Sequence, residues 1–333
     1  MNELLIVASR DGVTTFSQGQ GEWQLVHRAL EDHEPTAVVA REGVILAGTT
    51  DGVFRSDDGG RSFQEASKGL AYKHVRWMSY DPEISDRELA GTEPAGLFIS
   101  SDGAGRWHSC SEIPKLRDQY HWFLPYSPEA GCVRGFAFHA DRVYAAVEVG
   151  GVLRSDDRGD NWRLAGGSSG EPKRERLDHQ VHADVHSVIS YPSSPDVVFA
   201  ATGGGLYGSS DGGDRWRALY SDCYCRAVWA DKLDVRHVVL GPANGVNRDG
   251  RIEESWDGGE SWENASAGLD LPWPRCMIER FYESGDELLA ITSDGRLFSS
   301  PLVVRSWRRI VPEVGQVRAV AVRLDAISEK PSG

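Results

Sequence analysis

One eight-residue pattern, Ser-x-Asp-x-Gly-x-x-Trp/Phe, returns along the chain and constrains its fold more than any other feature. It reads SDDGGRSF (Ser56 to Phe63), SDDRGDNW (Ser155 to Trp162), SSDGGDRW (Ser209 to Trp216) and SWDGGESW (Ser255 to Trp262). SSDGAGRW (Ser100 to Trp107) fits with Ala104 in the glycine place, and degenerate copies end at Trp23 and Trp307. The closing aromatics are therefore Trp23, Phe63, Trp107, Trp162, Trp216, Trp262 and Trp307, separated by 40 to 55 residues. A period of this length with several short strands per unit signals propeller blades. Within each copy the Asp side chain can accept backbone amides of a turn. The glycine supplies a positive φ, and the aromatic covers the hairpin. These aspartates are read as turn hardware, not as catalytic groups.

The motif resembles the Asp box, or BNR repeat, of sialidases, sortilin-type receptors, xyloglucan hydrolases and a photosystem II assembly factor. The resemblance covers nearly the whole chain and implies an all-β, seven-bladed β-propeller with Asp-box turns between the third and fourth strands of each blade. Sialidases of this class also carry an Arg-Ile-Pro motif near the start, which this sequence lacks.

Seven inner strands can be placed on this frame: PTAVVAR (Pro35 to Arg41), HVRWMSY (His74 to Tyr80), CVRGFAF (Cys132 to Phe138), DVHSVIS (Asp184 to Ser190), YCRAVWA (Tyr224 to Ala230), RCMIERF (Arg275 to Phe281) and QVRAVAV (Gln316 to Val322). Their apolar, β-branched and aromatic content suits strands. ELLIVAS and the turn before Trp23 supply outer strands without an inner one, and QVRAVAV supplies an inner strand without outer ones. The N-terminal strands are therefore expected to pair with the C-terminal inner strand, which closes the ring and removes open edges. Although 333 residues would allow about two domains, one propeller over 1–324 with a loose tail over 325–333 is expected.

The net charge of −14 argues against nucleic acid as a partner, since phosphate binding needs a basic face. MNELLIVASRDG has no basic n-region, and no long apolar run follows, so neither a leader nor a membrane span is expected. Five cysteines without framework spacing fit a reduced, cytoplasmic chain.

The long insertions, Ser109 to Gly131, Leu164 to Ala183 and Asn244 to Glu254, fall on the face opposite the Asp boxes. Long loops on a rigid scaffold usually carry function. Aligning the inner strands places Thr36, Arg76, Arg134, His186, Arg226, Met277 and Arg318 in one column at that face. Converging guanidinium groups repel unless an anion or interleaved acids sit among them, and Glu93 and Glu148 are the nearby acids.

Two readings follow: a pocket gripping a carboxylate, phosphate or sulfate, or an Arg–Glu network that bolts blades together. In the first, Arg76, Arg134, Arg226 and Arg318 hold the anion, while His186 with Glu93 or Glu148 moves protons in lyase or hydrolase chemistry. His179, His182 and His186 would ligate a divalent ion such as Zn, Fe or Mn, or else are ordinary loop histidines. In DQYHWFLPY (Asp118 to Tyr126), His121 and Trp122 would contact a ligand or partner, or anchor the insertion. The resemblance leaves two further functions open: a non-catalytic binding or assembly scaffold with a protein partner, and a glycan-directed hydrolase.

Overall fold

The computed structural model describes residues 3–19, 22–127, 130–172, 175–191 and 193–324; the expected tail over 325–333 lies outside these. Seven four-stranded antiparallel sheets form the molecule. We number the blades by inner strand: Pro35–Arg41, His74–Tyr80, Cys132–His139, Val185–Tyr191, Tyr224–Ala230, Ile278–Ser284 and Val317–Leu324. The seventh blade draws its other three strands from the N-terminus, with Glu3–Ser9 pairing antiparallel to Val317–Leu324 over Glu3↔Leu324 to Ser9↔Val317. The ring is thus closed by hydrogen bonds between the two ends of the described chain. Among the described residues a single helix, Glu112–Tyr120, stands in the insertion between the second and third blades.

The repeated turns are built as their composition demands. In the third blade Ser155 Oγ accepts the Gly159 amide at 2.7 Å and donates to Asp157 Oδ1 at 2.7 Å. Asp157 Oδ1 in turn accepts the Asn161 amide at 2.8 Å. Gly159 holds φ 94°, which a side chain would strain; of the five copies that keep the Ser, Asp and aromatic, the second blade's has a non-glycine there, Ala104 at φ 66°.

Each closing aromatic packs on the preceding blade. Trp107 joins the first and second blades and donates from Nε1 to Ala66 O, while Trp307 does the same with Ala265 O between the fifth and sixth. The main apolar clusters consequently lie between blades, and burial of these faces is the principal force holding the ring. Ser155 is 1 % exposed, so Ser155→Ala would leave the Gly159 N–H buried and unbonded. It is expected to cost about 1–3 kcal/mol, read as a lower urea midpoint at unchanged m. A loss below about 0.5 kcal/mol, the level of an ordinary surface change, would show that these turns are not stabilising.

Candidate functional site

Every inner strand slips register near the aligned column, and that of the fourth blade slips a second time between Ser190 and Tyr191. Val75 pairs with Thr92 and Trp77 with Gly91, so Arg76 is the extra residue. The same bulge leaves out Arg134 between Val133 and Gly135, His186 between Val185 and Ser187, Thr36 between Pro35 and Ala37, and Arg318 between Val317 and Ala319. Arg226 lies in the longer slip between Cys225 and Val228. A β-bulge re-aims the extra side chain, and here it turns the column toward the channel, where groups from non-adjacent blades meet.

The sixth blade differs from the sequence alignment. Its inner strand is Ile278–Ser284, and the bulged residue between Ile278 and Arg280 is Glu279. Met277 precedes the strand, is fully buried, and takes the Asn247 amide on its sulfur at 3.4 Å. Counting backward from the Ser284↔Glu287 hairpin, instead of forward from RCM, would have found Glu279.

Each arginine of the column meets a carboxylate. Arg76 Nη1 lies 3.0 Å from Glu93 Oε2, and Arg318 Nη2 3.2 Å from Glu34 Oε2. Arg134, 8 % exposed, is the hub: Nη1 donates to Glu148 Oε2 at 2.9 Å, and Nη2 reaches Glu279 Oε2 across the channel at 3.5 Å. Arg226 Nη1 donates to the other oxygen of Glu279. Glu148 also accepts Tyr126 OH at 2.8 Å and the Cys132 thiol at 3.2 Å.

Burial pushes the Glu148 carboxyl up, but the Arg134 charge, His186 and the hydrogen bonds from Tyr126 and Arg134 outweigh it and hold it well below the usual range. Burial likewise opposes ionisation of Glu279, and Arg226 and Arg134 override it. Burial, then the charge of Arg76, pushes the His74 imidazole down.

The remaining predicted residues are dispersed. His186 is buried; Nδ1 lies 3.5 Å from Arg134 Nη1, and Nε2 lies 3.3 Å from Asp184 Oδ2 without an aligned hydrogen bond. His182 Nδ1 accepts the Asp184 amide at 3.2 Å. His179 is exposed and its carbonyl takes the Trp216 amide. The ligand-type atoms that gather within 4.8 Å of one another among the described residues belong to Glu148, Asp184 and His186, not to the three histidines. The oxygens of Glu148 are already committed to Tyr126, Cys132 and Arg134, and a guanidinium at 2.9 Å repels a cation. That donor set fits a divalent ion poorly.

Trp122 is buried and donates to Gly170 O at 2.8 Å, tying two insertions together. His121 caps the helix in the left-handed region and is exposed. Tyr126, four residues beyond Trp122, is the member of that stretch that reaches the network.

Above the network opens a cavity of ≈560 Å³ lined by Glu34, His74, Arg76, Arg134, Glu279, Arg280, Asp294 and Arg318 among others. Arg280 floors it. Its guanidinium sits 4.4 Å over the Trp77 ring and donates to Arg76 O at 3.4 Å. Beyond it the channel becomes an apolar recess of ≈410 Å³ walled by Ala37, Val39, Trp77, Phe136 and Phe138. Glu34 and Arg280 were not legible as site residues, because closure of the ring brings them to the mouth, whereas Glu279 was missed through the register of its own strand.

No helix among the described residues is long and apolar enough to cross a membrane. No protein-family profile matches the chain. It is 25 % identical over 150 residues, 42 % of its own length, to the oligoxyloglucan-reducing end-specific xyloglucanase of Emericella nidulans, but spans only 17 % of that enzyme. Among solved structures it resembles an ancestral GH74 enzyme (TM-score 0.62, 16 % identity, 87 % of this chain and 38 % of that one). It also resembles YCF48 bound to D1 peptide (TM-score 0.56, 13 % identity, 98 % and 90 %) and YCF48 from Cyanidioschyzon merolae (TM-score 0.56, 12 % identity, 94 % and 96 %). These likenesses place the chain among seven-bladed β-propellers.

Proposed function

We propose that the protein is a non-catalytic binding propeller that seats an acidic group of a polypeptide partner in the charged mouth of its channel. The observation that carries this is the balance of charge at the cavity. Arg76, Arg134 and Arg318 there have carboxylate partners in Glu93, Glu148 and Glu34, whereas Arg280 lines the same cavity with no carboxylate at ion-pair distance among the described residues. A carboxylate entering the cavity can share guanidinium donors with the resident acids.

Acid–base chemistry is less well supported. It needs titrating groups whose environments push them apart. Of the carboxyls around the mouth whose acidity is shifted, Glu148, Asp184, Glu279 and Asp294 all move down. The carboxyl that moves up, Glu88, is buried and accepts the Ala104 amide in a repeated turn at the other face. Near end-to-end likeness to the peptide-bound YCF48 structure is consistent with a scaffold. A second reading, glycan-directed hydrolysis, draws on the local similarity to the xyloglucanase.

The test is selection of a random displayed-peptide library on the purified protein, repeated with Arg318→Gln, which removes a rim charge 31 % exposed at its side chain. Acidic peptides should be enriched, and their affinity should fall about tenfold in the variant, the worth of one charge-assisted hydrogen bond. Enriched peptides without carboxylates, or equal affinity for both proteins, would sink the reading. Cleavage of xyloglucan oligosaccharides by the purified chain would favour the second.

A further inference from the structure

The connection from the fourth to the fifth blade enters the inner strand Tyr224–Ala230 through Asp222, which takes a left-handed φ of 58°. The bend folds the residue before the strand back over it. Cys223 Sγ comes to lie 3.3 Å from Cys225 Sγ. In a straight strand, side chains two residues apart stand side by side about one pleat repeat, ~6.6 Å, apart, too far to bond. Here closure to the ~2.05 Å of a disulfide needs the sulfurs to approach by only about 1.3 Å. Among the described residues this is the pair of cysteines in sulfur contact; all five are free thiols.

We infer that Cys223 and Cys225 form an oxidisable dithiol, closed to an intrastrand disulfide by hydrogen peroxide, in the apolar layer between the fourth and fifth blades, next in sequence to Arg226 of the channel mouth. The inference is independent of which ligand that mouth takes.

The two sulfurs have separate roles. With Cys225 as the donor, the hydrogen bond between the thiols holds the Cys223 pKa below its ordinary value against the opposing effect of burial, and the Arg251 charge adds to the lowering. Burial, then that same donated hydrogen bond, pushes Cys225 up. Cys110 is pushed up by burial to about 12, and burial pushes Cys132 up as well. The thiolate is the reacting form, so Cys223 is the favoured site of attack. Its sulfur takes one oxygen of the peroxide as the O–O bond breaks, giving a sulfenic acid and hydroxide. The hydroxide takes the Cys225 proton and becomes water. Cys225 sulfur then attacks Cys223 sulfur, the S–S bond forms, and the second oxygen leaves as hydroxide, which leaves as a second water once the proton released on forming the Cys223 thiolate is returned. Two thiols are oxidised and one peroxide is reduced to two waters.

The bridge would span Tyr224, whose ring lies 5.0 Å from the His186 ring and under the Arg226 guanidinium at 5.5 Å. Oxidation therefore fixes the backbone beneath two side chains of the bulged column.

The experiment uses the whole purified chain, treated with hydrogen peroxide, denatured, alkylated and digested. Titratable thiols should fall from five to three, and the peptide containing Cys223 and Cys225 should weigh two hydrogens less than its reduced form. Dithiothreitol should reverse both. In Cys225→Ser, dimedone should trap a sulfenic acid at Cys223. The wild-type peptide mass decides the matter even if that variant folds poorly. Both cysteines remaining alkylatable after Cys110 or Cys132 has reacted would overturn the inference. So would sulfinic acid at Cys223 beside a free Cys225, or a bridge to any other cysteine.

Discussion

A chain ending at Gln316 is expected to show no cooperative unfolding transition. The strand removed, Val317–Leu324, is the inner strand of the blade whose other strands begin at Glu3. Its loss strips the backbone partners of Glu3–Ser9 over the whole paired register. Leu5, Ile6, Val7 and Ala8 are fully buried, and Val317, Ala319 and Val320 are nearly so. Each fully buried valine, leucine or isoleucine is worth about 1.5–3 kcal/mol, so uncovering this set consumes a typical stability of about 5–15 kcal/mol. The ring also opens between the sixth and first blades, because Arg318 no longer reaches Pro35 O and Glu34. The measurement is near-UV circular dichroism with a urea titration. Adding a synthetic peptide of residues 317–324 in trans should restore part of the native signal, since chain and peptide together supply all four strands of the seventh blade. A truncated chain with a native-like spectrum and a sharp transition would show that closure is not what holds the ring.

That closure was legible in the sequence, and the reason is local. The turns announce themselves because Ser, Asp, Gly and Trp each meet a demand within a few residues, and ELLIVAS and QVRAVAV are each short of a partner strand. The column of charges was legible for the same reason: its members sit at one position relative to a blade. What the column does was not. Arg134 meets Glu279, 145 residues away, only because the third and sixth blades face each other across the channel. Glu279 itself was displaced by a register error, since RCM continues the apolar pattern of the other inner strands while the true strand starts at Ile278. Glu34 comes from the segment before its blade, and Trp122 is buried by packing between two insertions that the sequence shows only as long loops. The expected choice between an anion pocket and an Arg–Glu network is also a matter of closure. The column arginines have carboxylate partners, and Arg280, which lines the cavity above them, has none at ion-pair distance among the described residues.

Arg134→Met is expected to cost about 3–5 kcal/mol near neutral pH, the usual consequence of removing one partner from a buried pair. Methionine approximates the aliphatic stem, so the loss reports on charge more than on volume. Glu148, 3 % exposed, would keep Tyr126 and Cys132 but lose its cation, and Glu279 would retain only Arg226. The deficit should depend on pH in a definite direction. In the wild type the folded-state pKa values of Glu148 and Glu279 are held below the ordinary value of about 4.3. Their contribution is therefore fully present above that value and is lost as pH falls through it toward the folded values. Without Arg134, burial dominates at Glu148 and favours the protonated acid, which makes the variant relatively worse as pH rises. The gap between the two proteins should be wide at pH 7.5 and narrow near pH 4, measured by urea denaturation at both. Adding Glu148→Gln to Arg134→Met should recover part of the loss, because the stranded charge goes with its partner. Equal deficits at the two pH values, or a double variant weaker than the single by the full cost of another buried group, would show that Arg134 stabilises the channel by packing and not by neutralising the carboxylates around it.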